Sequence, residues 1–298
     1  MYIFIKGTQQ MTMTLIQGNF RIVKTAPDGD SIRFYPQNPE LWKKLQTPVS
    51  TNRSGGAQLR LDAIDALETH YRPKMGSIGI QHQPAEFADA AASELLKFLG
   101  FQNVTRGSNQ VITAAEPEEV PGFILTRFAD TYGRAVAFVF KGDSEQEDGS
   151  SIYLEKSLLK KSANYHLLAK GLVYPTFYSK LYPDIRKQLI AVTEKARTDK
   201  KGLWSSDKTN KGFLLEELET ITDKVVILPK LFRRLLDYLA INDGSVALDG
   251  FINFLESKKD KVIILPDSHV TGFDFVVKVD GQNIKLTVQP EDLVFMEK

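Results

Sequence analysis

The chain contains no cysteine, which excludes disulfides, thiolate metal sites and cysteine nucleophiles together. That absence assigns no compartment, because a cysteine-free chain persists in reducing and oxidising surroundings alike. Histidine is scarce. His70, His82, His166 and His269 show neither HxH nor HExxH spacing, so a histidine-rich zinc site is not expected. No apolar run approaches the ~18 residues of a bilayer-spanning helix, and no membrane partner is expected. The opening MYIFIKGTQQMTMTLIQGNF has no apolar stretch longer than Tyr2–Ile5 and no small-residue cleavage site, so no secretory leader is legible. The expectation is a cytoplasmic protein, or a secreted one if a leader is missing from this chain; Met11 and Met13 are alternative starts.

What is present suffices for a folded protein. The 298 residues are 42% hydrophobic and 25% charged, which supports a buried core and excludes a wholly disordered chain. The net charge of +1 conceals an asymmetry: residues 208–298 hold 12 Lys/Arg against 15 Asp/Glu, and the segment before them 26 against 22. Within 156–201, 11 basic residues face three acidic ones. Such an excess attracts polyanions, although a solvated face of surface helices has the same composition.

Residues 20–25 and 31–35 have strand character and flank a turn at Pro27-Asp28-Gly29-Asp30. Alternation of Leu59, Leu61 and Ala63 marks a third strand over 57–64, and 123–128 with 134–140 supply two more. Ala88, Ala91, Ala92, Leu95, Leu96 and Leu99 form a helical stripe over 84–99 that stops at Gly100. Further helices are expected over 153–170 and from Pro183 to Gly202. The fold class is therefore α+β. Five strands with an interposed helix match a partly open OB-type β-barrel, though the order also suits other α+β sandwiches. Residues 1–19 stand as an N-terminal extension, 20–207 as the first domain and 208–222 as a polar linker. A small α/β domain is expected over 223–298. There Asp223-Lys-Val-Val-Ile-Leu-Pro229 recurs as Asp260-Lys-Val-Ile-Ile-Leu-Pro266, and both copies have the character of short buried strands. A helix over 231–239 and a hairpin about Asp280-Gly281 complete the region, which is expected to pack independently and holds no catalytic constellation.

Three polar clusters sit at strand ends or turns: Asp28-Gly29-Asp30-Ser31, the run Arg60 to Glu68 with Asp65, Ala66 and Leu67, and Asp130-Thr131-Tyr132-Gly133-Arg134. Two aspartates suit a hard divalent cation, two arginines can fork onto phosphate oxygens, and a glutamate can polarise water. Taken singly, each cluster is also an ordinary turn or a solvated strand end.

Jointly and in this order, these clusters and the later Gly202-Leu203-Trp204 resemble the thermonuclease family, the staphylococcal-nuclease-like OB-fold nucleases, over residues 20–207. The resemblance implies a calcium-dependent endonuclease, a hydrolase of DNA and RNA that leaves 3′-phosphate ends. It implies Asp30, Asp65 and the Ala66 carbonyl as Ca2+ ligands and Asp28 as holder of a metal-bound water. Glu68 would be the general base, Arg60 and Arg134 the phosphate clamp, and Tyr132, Tyr174 and Tyr178 substrate contacts. The chain departs from the family pattern at Ser31, at Leu67 in place of a proline, and at Thr131 in place of a lysine. The alternative is a non-catalytic nucleic-acid-binding module of the same fold, with 223–298 engaging a protein partner.

Overall fold

The computed structural model describes residues 12–107, 109–265 and 267–297. The elements run β1 (Met13–Arg21), β2 (Ser31–Pro36), β3 (Ala57–Leu61), β4 (Ile64–Asp65), α1 (Ala85–Leu99), β5 (Gln102–Arg106), β6 (Ile112–Glu116), β7 (Glu119–Ala129) and β8 (Ala135–Lys141). There follow β9 (Ser151–Ile152), α2 (Lys156–Leu159), α3 (Ala163–Lys170), β10 (Tyr174–Pro175), β11 (Phe177–Tyr178), α4 (Pro183–Thr198) and β12 (Phe213–Leu214). The chain ends with α5 (Pro229–Ile241), α6 (Phe251–Lys258), β13 (Lys261–Ile264), β14 (His269–Gly272), α7 (Phe273–Val276), β15 (Val277–Asp280), β16 (Asn283–Leu286) and β17 (Leu293–Phe295).

Strands β2, β3, β8, β7 and β1 form one sheet that closes because β1 also pairs with β2. The result is a five-stranded OB-type barrel in an α+β fold, with β3–β8 as its parallel pair. Period-2 alternation sends Phe20, Ile32, Phe34, Leu59, Leu61, Ile124 and Phe138 into one core. Closure leaves few free edges; β9 covers part of β1. Helix α1 has the expected bounds and stops at Gly100, whose φ of 115° is open to glycine but strained for other residues.

Several boundaries differ from expectation. Met13–Asn19 belongs to β1 rather than to an extension, and β1 ends at Arg21, so 22–30 is a loop. Met11 and the residues before it lie outside the described residues. The expected helix over 153–170 is two helices, because Ser162 takes extended backbone angles and caps α3 by accepting from Tyr165 N–H. A hairpin, β5–β6, had no strong sequence signal; its mostly exposed residues lack alternation. Of the repeated heptapeptides only the second forms a strand, β13. In the first, Asp223 and Lys224 close a π-helical turn (Thr220–Lys224), and an extended stretch leads into α5 at Pro229.

The expectation of independent packing for 223–298 meets a shared core. Leu67, Ala88, Tyr174, Ala196, Leu203 and Trp204 cluster with Ile227, Phe232, Leu236, Phe251 and Phe295. Strand β11 pairs in parallel with β17, joining the first segment to the C-terminal sheet β11-β17-β13-β14. The side chain of Gln83 donates to the Ile227 carbonyl at 2.8 Å, and Tyr71 Oη donates to Asp237 at 2.9 Å. Arg197 and Glu291 form an ion pair. Residues 208–222 are no free tether either: Thr209, Leu215 and Ile221 are buried, and β12 pairs with β16.

Ending the chain at Asp207 therefore strips cover from at least six apolar side chains. The truncated protein is expected to aggregate or bind a hydrophobic dye, checked by size-exclusion chromatography and dye fluorescence. A soluble, dye-silent 1–207 fragment with native-like circular dichroism would show that the barrel needs no C-terminal cover.

Candidate functional site

Barrel register builds the site. Ser31 pairs with Arg60, which sets the Asp28–Asp30 loop beside the end of β3. Gly29 makes this approach feasible: a Cβ there would lie 2.6 Å from Ala91 Cβ and 2.7 Å from Ala66 Cβ. Beyond β3 the chain turns at Ala63 (φ 68°), and β4 pairs with β10 in the register Asp65–Tyr174. The Ala66 N–H donates to Asp30 Oδ2 at 3.3 Å, and Asp30 N–H to Asp28 Oδ1 at 3.3 Å. Glu68 is held by backbone contacts to Gln83, whose N–H donates to the Glu68 carbonyl and whose Oε1 accepts from the Glu68 N–H.

Five of the expected residues thus converge: Asp28, Asp30, Arg60, Asp65 and Glu68, with the Ala66 backbone among them. Arg60 NH2 lies 3.3 Å from Asp65 Oδ1 and its NH1 3.9 Å from Asp30 Oδ2. A residue from α5 completes the cluster. Arg233 NH2 donates to Asp65 Oδ2 at 2.6 Å, and its NH1 to Asp65 Oδ1 at 3.2 Å and to Glu68 Oε1 at 2.5 Å. The guanidinium is therefore bidentate on one carboxylate and bridges to a second, the strong geometry for this pair. Asp65 is 1% exposed.

Electrostatics follow from this wiring. Burial alone would raise Asp65, but Arg233 and Arg60 outweigh it and hold the carboxyl at about 2. Burial, then the Asp28 charge, pushes Asp30 well above the usual carboxylate range, against the opposing pull of Arg60. Glu68 is raised because burial outweighs the attraction of Arg233. Both arginines are driven further toward the charged form by the carboxylates around them, despite burial.

The other expected site residues lie elsewhere or face inward. Arg134 is bound to its own turn: its Nε donates to Asp130 Oδ2 at 2.8 Å, while Asp130 Oδ1 accepts from the N–H groups of Tyr132 and Arg134. Gly133 closes that turn at φ 78° with Ser50 packed against it, which excludes a side chain. Tyr132 is 67% exposed. Tyr174 is fully buried, and its hydroxyl donates to Asp207 Oδ1 at 2.5 Å, so it is a core residue and not a substrate contact. Tyr178 is half-buried against Phe295.

Arg233 has only a weak signature in the sequence, in a region where no catalytic constellation is expected. One signal was available. Positions 229, 233, 236 and 240 follow helical spacing, and Pro229, Leu236 and Ala240 are all buried, so Arg233 is a lone cation in an inward-facing line. An arginine so placed needs a buried anion.

The sequence profile of staphylococcal nuclease homologues matches residues 58–206, and the chain belongs to that family. No curated protein matches the chain. Among the described residues no helix is long and apolar enough to cross a membrane.

The Ca2+ that the resemblance implies requires free carboxylate oxygens at ~2.3–2.6 Å. As arranged, the donors do not fit it: both Asp65 oxygens and Glu68 Oε1 accept from Arg233, and Asp30 Oδ2 accepts from Ala66 N–H. Among the described residues no group of three or more His, Asp or Glu side chains is arranged to hold a metal ion.

Two outcomes are expected. The folded-state value of Asp65 lies below its ordinary 3.8, so its stabilising contribution is present above about pH 4 and is lost as pH falls toward about 2. Asp65→Asn is expected to cost about 3–5 kcal/mol near neutral pH by leaving two arginines short of a partner. The gap to wild type narrows as pH drops through that window, read from urea midpoints. Tyr174→Phe is expected to lower stability by about 1–2 kcal/mol, because the Asp207–Thr209 network loses a buried donor. Affinity for nucleic acid stays unchanged; an affinity loss at full stability would return Tyr174 to the substrate surface.

Proposed function

We propose that this chain is a nucleic-acid-binding barrel of the nuclease type whose hydrolytic site is closed in the folded state, so that it binds phosphodiester chains without cutting them by a calcium-dependent route. The observation that carries this reading is the Arg233 fork on Asp65 and Glu68. A general base needs a free lone pair near its target, and a cation site needs unengaged oxygens. One guanidinium engages both Asp65 oxygens and one oxygen of Glu68. The helix that carries it is no loose flap, since Leu231, Phe232, Leu235 and Leu236 are fully buried in the shared core.

Binding rests on different features. The segment 156–201 holds 11 basic against three acidic residues on and around α3 and α4; Lys170, Lys195 and Lys201 pair with Glu94 or Asp199, while Lys160, Lys161, Lys187 and Lys200 are exposed. Lysines of this kind track a phosphate backbone without reading bases, so DNA and RNA are both ligands and affinity falls steeply with salt. Such contacts need neither the carboxylate pocket nor an ordered metal.

A second reading retains one specific support. Asp30, Arg60, Asp65 and Glu68 stand together as a phosphodiesterase of this family would require, and calcium-dependent hydrolysis to 3′-phosphate ends follows if Arg233 withdraws. The test is full-length protein with labelled single-stranded DNA and RNA, in calcium, magnesium or EDTA. Salt-sensitive binding by fluorescence anisotropy with intact substrate in all three buffers is expected. Cleavage in calcium that stops in EDTA would overturn the closed-site reading in favour of the enzyme.

A further inference from the structure

We infer that the loop of residues 69–82 is a preformed cationic contact for single-stranded nucleic acid, separate from the lysines of α3 and α4. The inference rests on the proposed function for the class of ligand and adds where that ligand is held.

The loop is tied at its base to Glu68. It leaves the chain there and returns at Gln83, whose N–H donates to the Glu68 carbonyl at 2.8 Å and whose Oε1 accepts from the Glu68 N–H at 3.2 Å. A second rung follows, because Tyr71 and Gln81 exchange backbone hydrogen bonds at 2.7 and 2.8 Å. One side lies on α5. Tyr71 Oη donates to Asp237 at 2.9 Å, the Tyr71 and Phe232 ring centres are 6.4 Å apart, and a Cβ at Gly76 would fall 1.9 Å from the Ala240 carbonyl oxygen. A loop held at so many points has little freedom left to lose on binding, which favours affinity.

Its charge is of one sign. Residues 69–85 contain Arg72 and Lys74 and no Asp or Glu. Both cations are exposed, and among the described residues neither has an ion-pair partner. Lys170, Lys195 and Lys201, by contrast, pair with Glu94 or Asp199. Asp237, the acidic residue that the loop touches, is already engaged by Tyr71 and Arg234. Unpaired, exposed cations keep their attraction for a polyanion, whose phosphates release counterions on contact.

Side-chain shape selects among polyanions. His70 and Arg72 are exposed planar groups two positions apart, and unpaired bases stack on planar side chains of this kind. Met75 and Ile80, 69% and 54% exposed, add apolar surface on the same loop. A lipid surface calls for a cluster of about four to eight Lys/Arg, more than the two found here.

The test is fluorescence anisotropy of the full-length protein with labelled single-stranded DNA and RNA across ~50–300 mM salt. Arg72→Gln/Lys74→Gln is compared with Lys278→Gln/Lys285→Gln, which removes the same charge from exposed positions of β15 and β16. The first is expected to bind at least about tenfold more weakly at ~0.1 M salt. Its slope of log affinity on log salt becomes shallower by about 1.4, since each single-strand phosphate contact contributes about 0.7. The second is expected to bind as wild type. Wild-type affinity in Arg72→Gln/Lys74→Gln overturns the inference, as does an equal loss in Lys278→Gln/Lys285→Gln, which would make the effect one of net charge. Loss of sedimentation with phosphatidylserine vesicles while nucleic-acid affinity stays unchanged assigns the loop to a lipid surface and overturns it too. Should the first variant have a lowered Tm, Lys74→Gln alone carries the test, with a slope change of about 0.7. A wild type that binds no nucleic acid overturns the proposed function and this inference together, whereas wild-type binding that survives loss of the loop cations overturns only this one.

Discussion

Burying carboxylates requires something to balance them, and the pairing of Arg233 with Asp65 and Glu68 meets that requirement here. The barrel brings Asp30, Asp65 and Glu68 together through strand register and the close approach at Gly29, features set by backbone pairing and sterics rather than by charge. That convergence would be unfavourable with Arg60 as its only positive neighbour. The second guanidinium makes it tolerable, and it arrives from a helix more than 160 positions away in the chain. The C-terminal region is thereby part of the site. To seat Arg233, α5 must pack on Leu67 and Ala88, Gln83 must reach Ile227, and β17 must lie along β11. Each of these contacts is apolar or neutral. They provide the driving force, and the ion pair fixes the orientation.

The order of events in the sequence explains which features were legible. Strands β2, β3, β7 and β8 and helix α1 announce themselves because one face of each is apolar with the right period, and Gly100 stops the helix. The turn motifs carrying Asp30, Arg60, Asp65 and Glu68 are local, so their types and order survive in a linear scan. Four features did not. Strand β5–β6 and the break at Ser162 depend on hydrogen bonds that composition does not encode. The first heptapeptide copy differs from the second only in Val226 for Ile263, yet a π-helical turn at 220–224 and the bridge from Asp207 to Val226 decide its conformation. Tyr174 has the hydrogen-bonding chemistry of a substrate contact, and burial opposite Asp207 gives that chemistry an internal partner.

Arg233 was hidden for a different reason. Its sequence neighbourhood, Leu231-Phe232-Arg233-Arg234-Leu235-Leu236, is that of an ordinary amphipathic helix, where arginines commonly border the apolar face. The adjacent Arg234 takes a separate partner set: it donates to Asp260 at 2.5 Å and approaches Asp237 at 3.5 Å. Two consecutive arginines therefore serve two buried acidic sites on different sides of one helix. Lys230 joins the second, 3.2 Å from Asp260, and burial brings it down to about 8. The helix thus carries a row of cations into a densely acidic seam between barrel and C-terminal sheet.

That seam changes what the family motif means in this chain. Residue types report which groups are available, whereas chemistry depends on whether their lone pairs are free. Asp65 presents the same carboxylate whether it faces solvent, a metal ion or a guanidinium, yet only the first two leave it open to a reaction. The bidentate fork engages both of its oxygens at once, and the bridge to Glu68 engages one oxygen of that carboxylate as well. Arg134 is paired with Asp130 of its own turn. The surface lies outside that pocket: Tyr132 is exposed, as are Lys160, Lys161, Lys187 and Lys200, where a polyanion can reach them. On the proposed reading, one added charge closes the reaction while Asp30, Arg60, Asp65 and Glu68 stay in place.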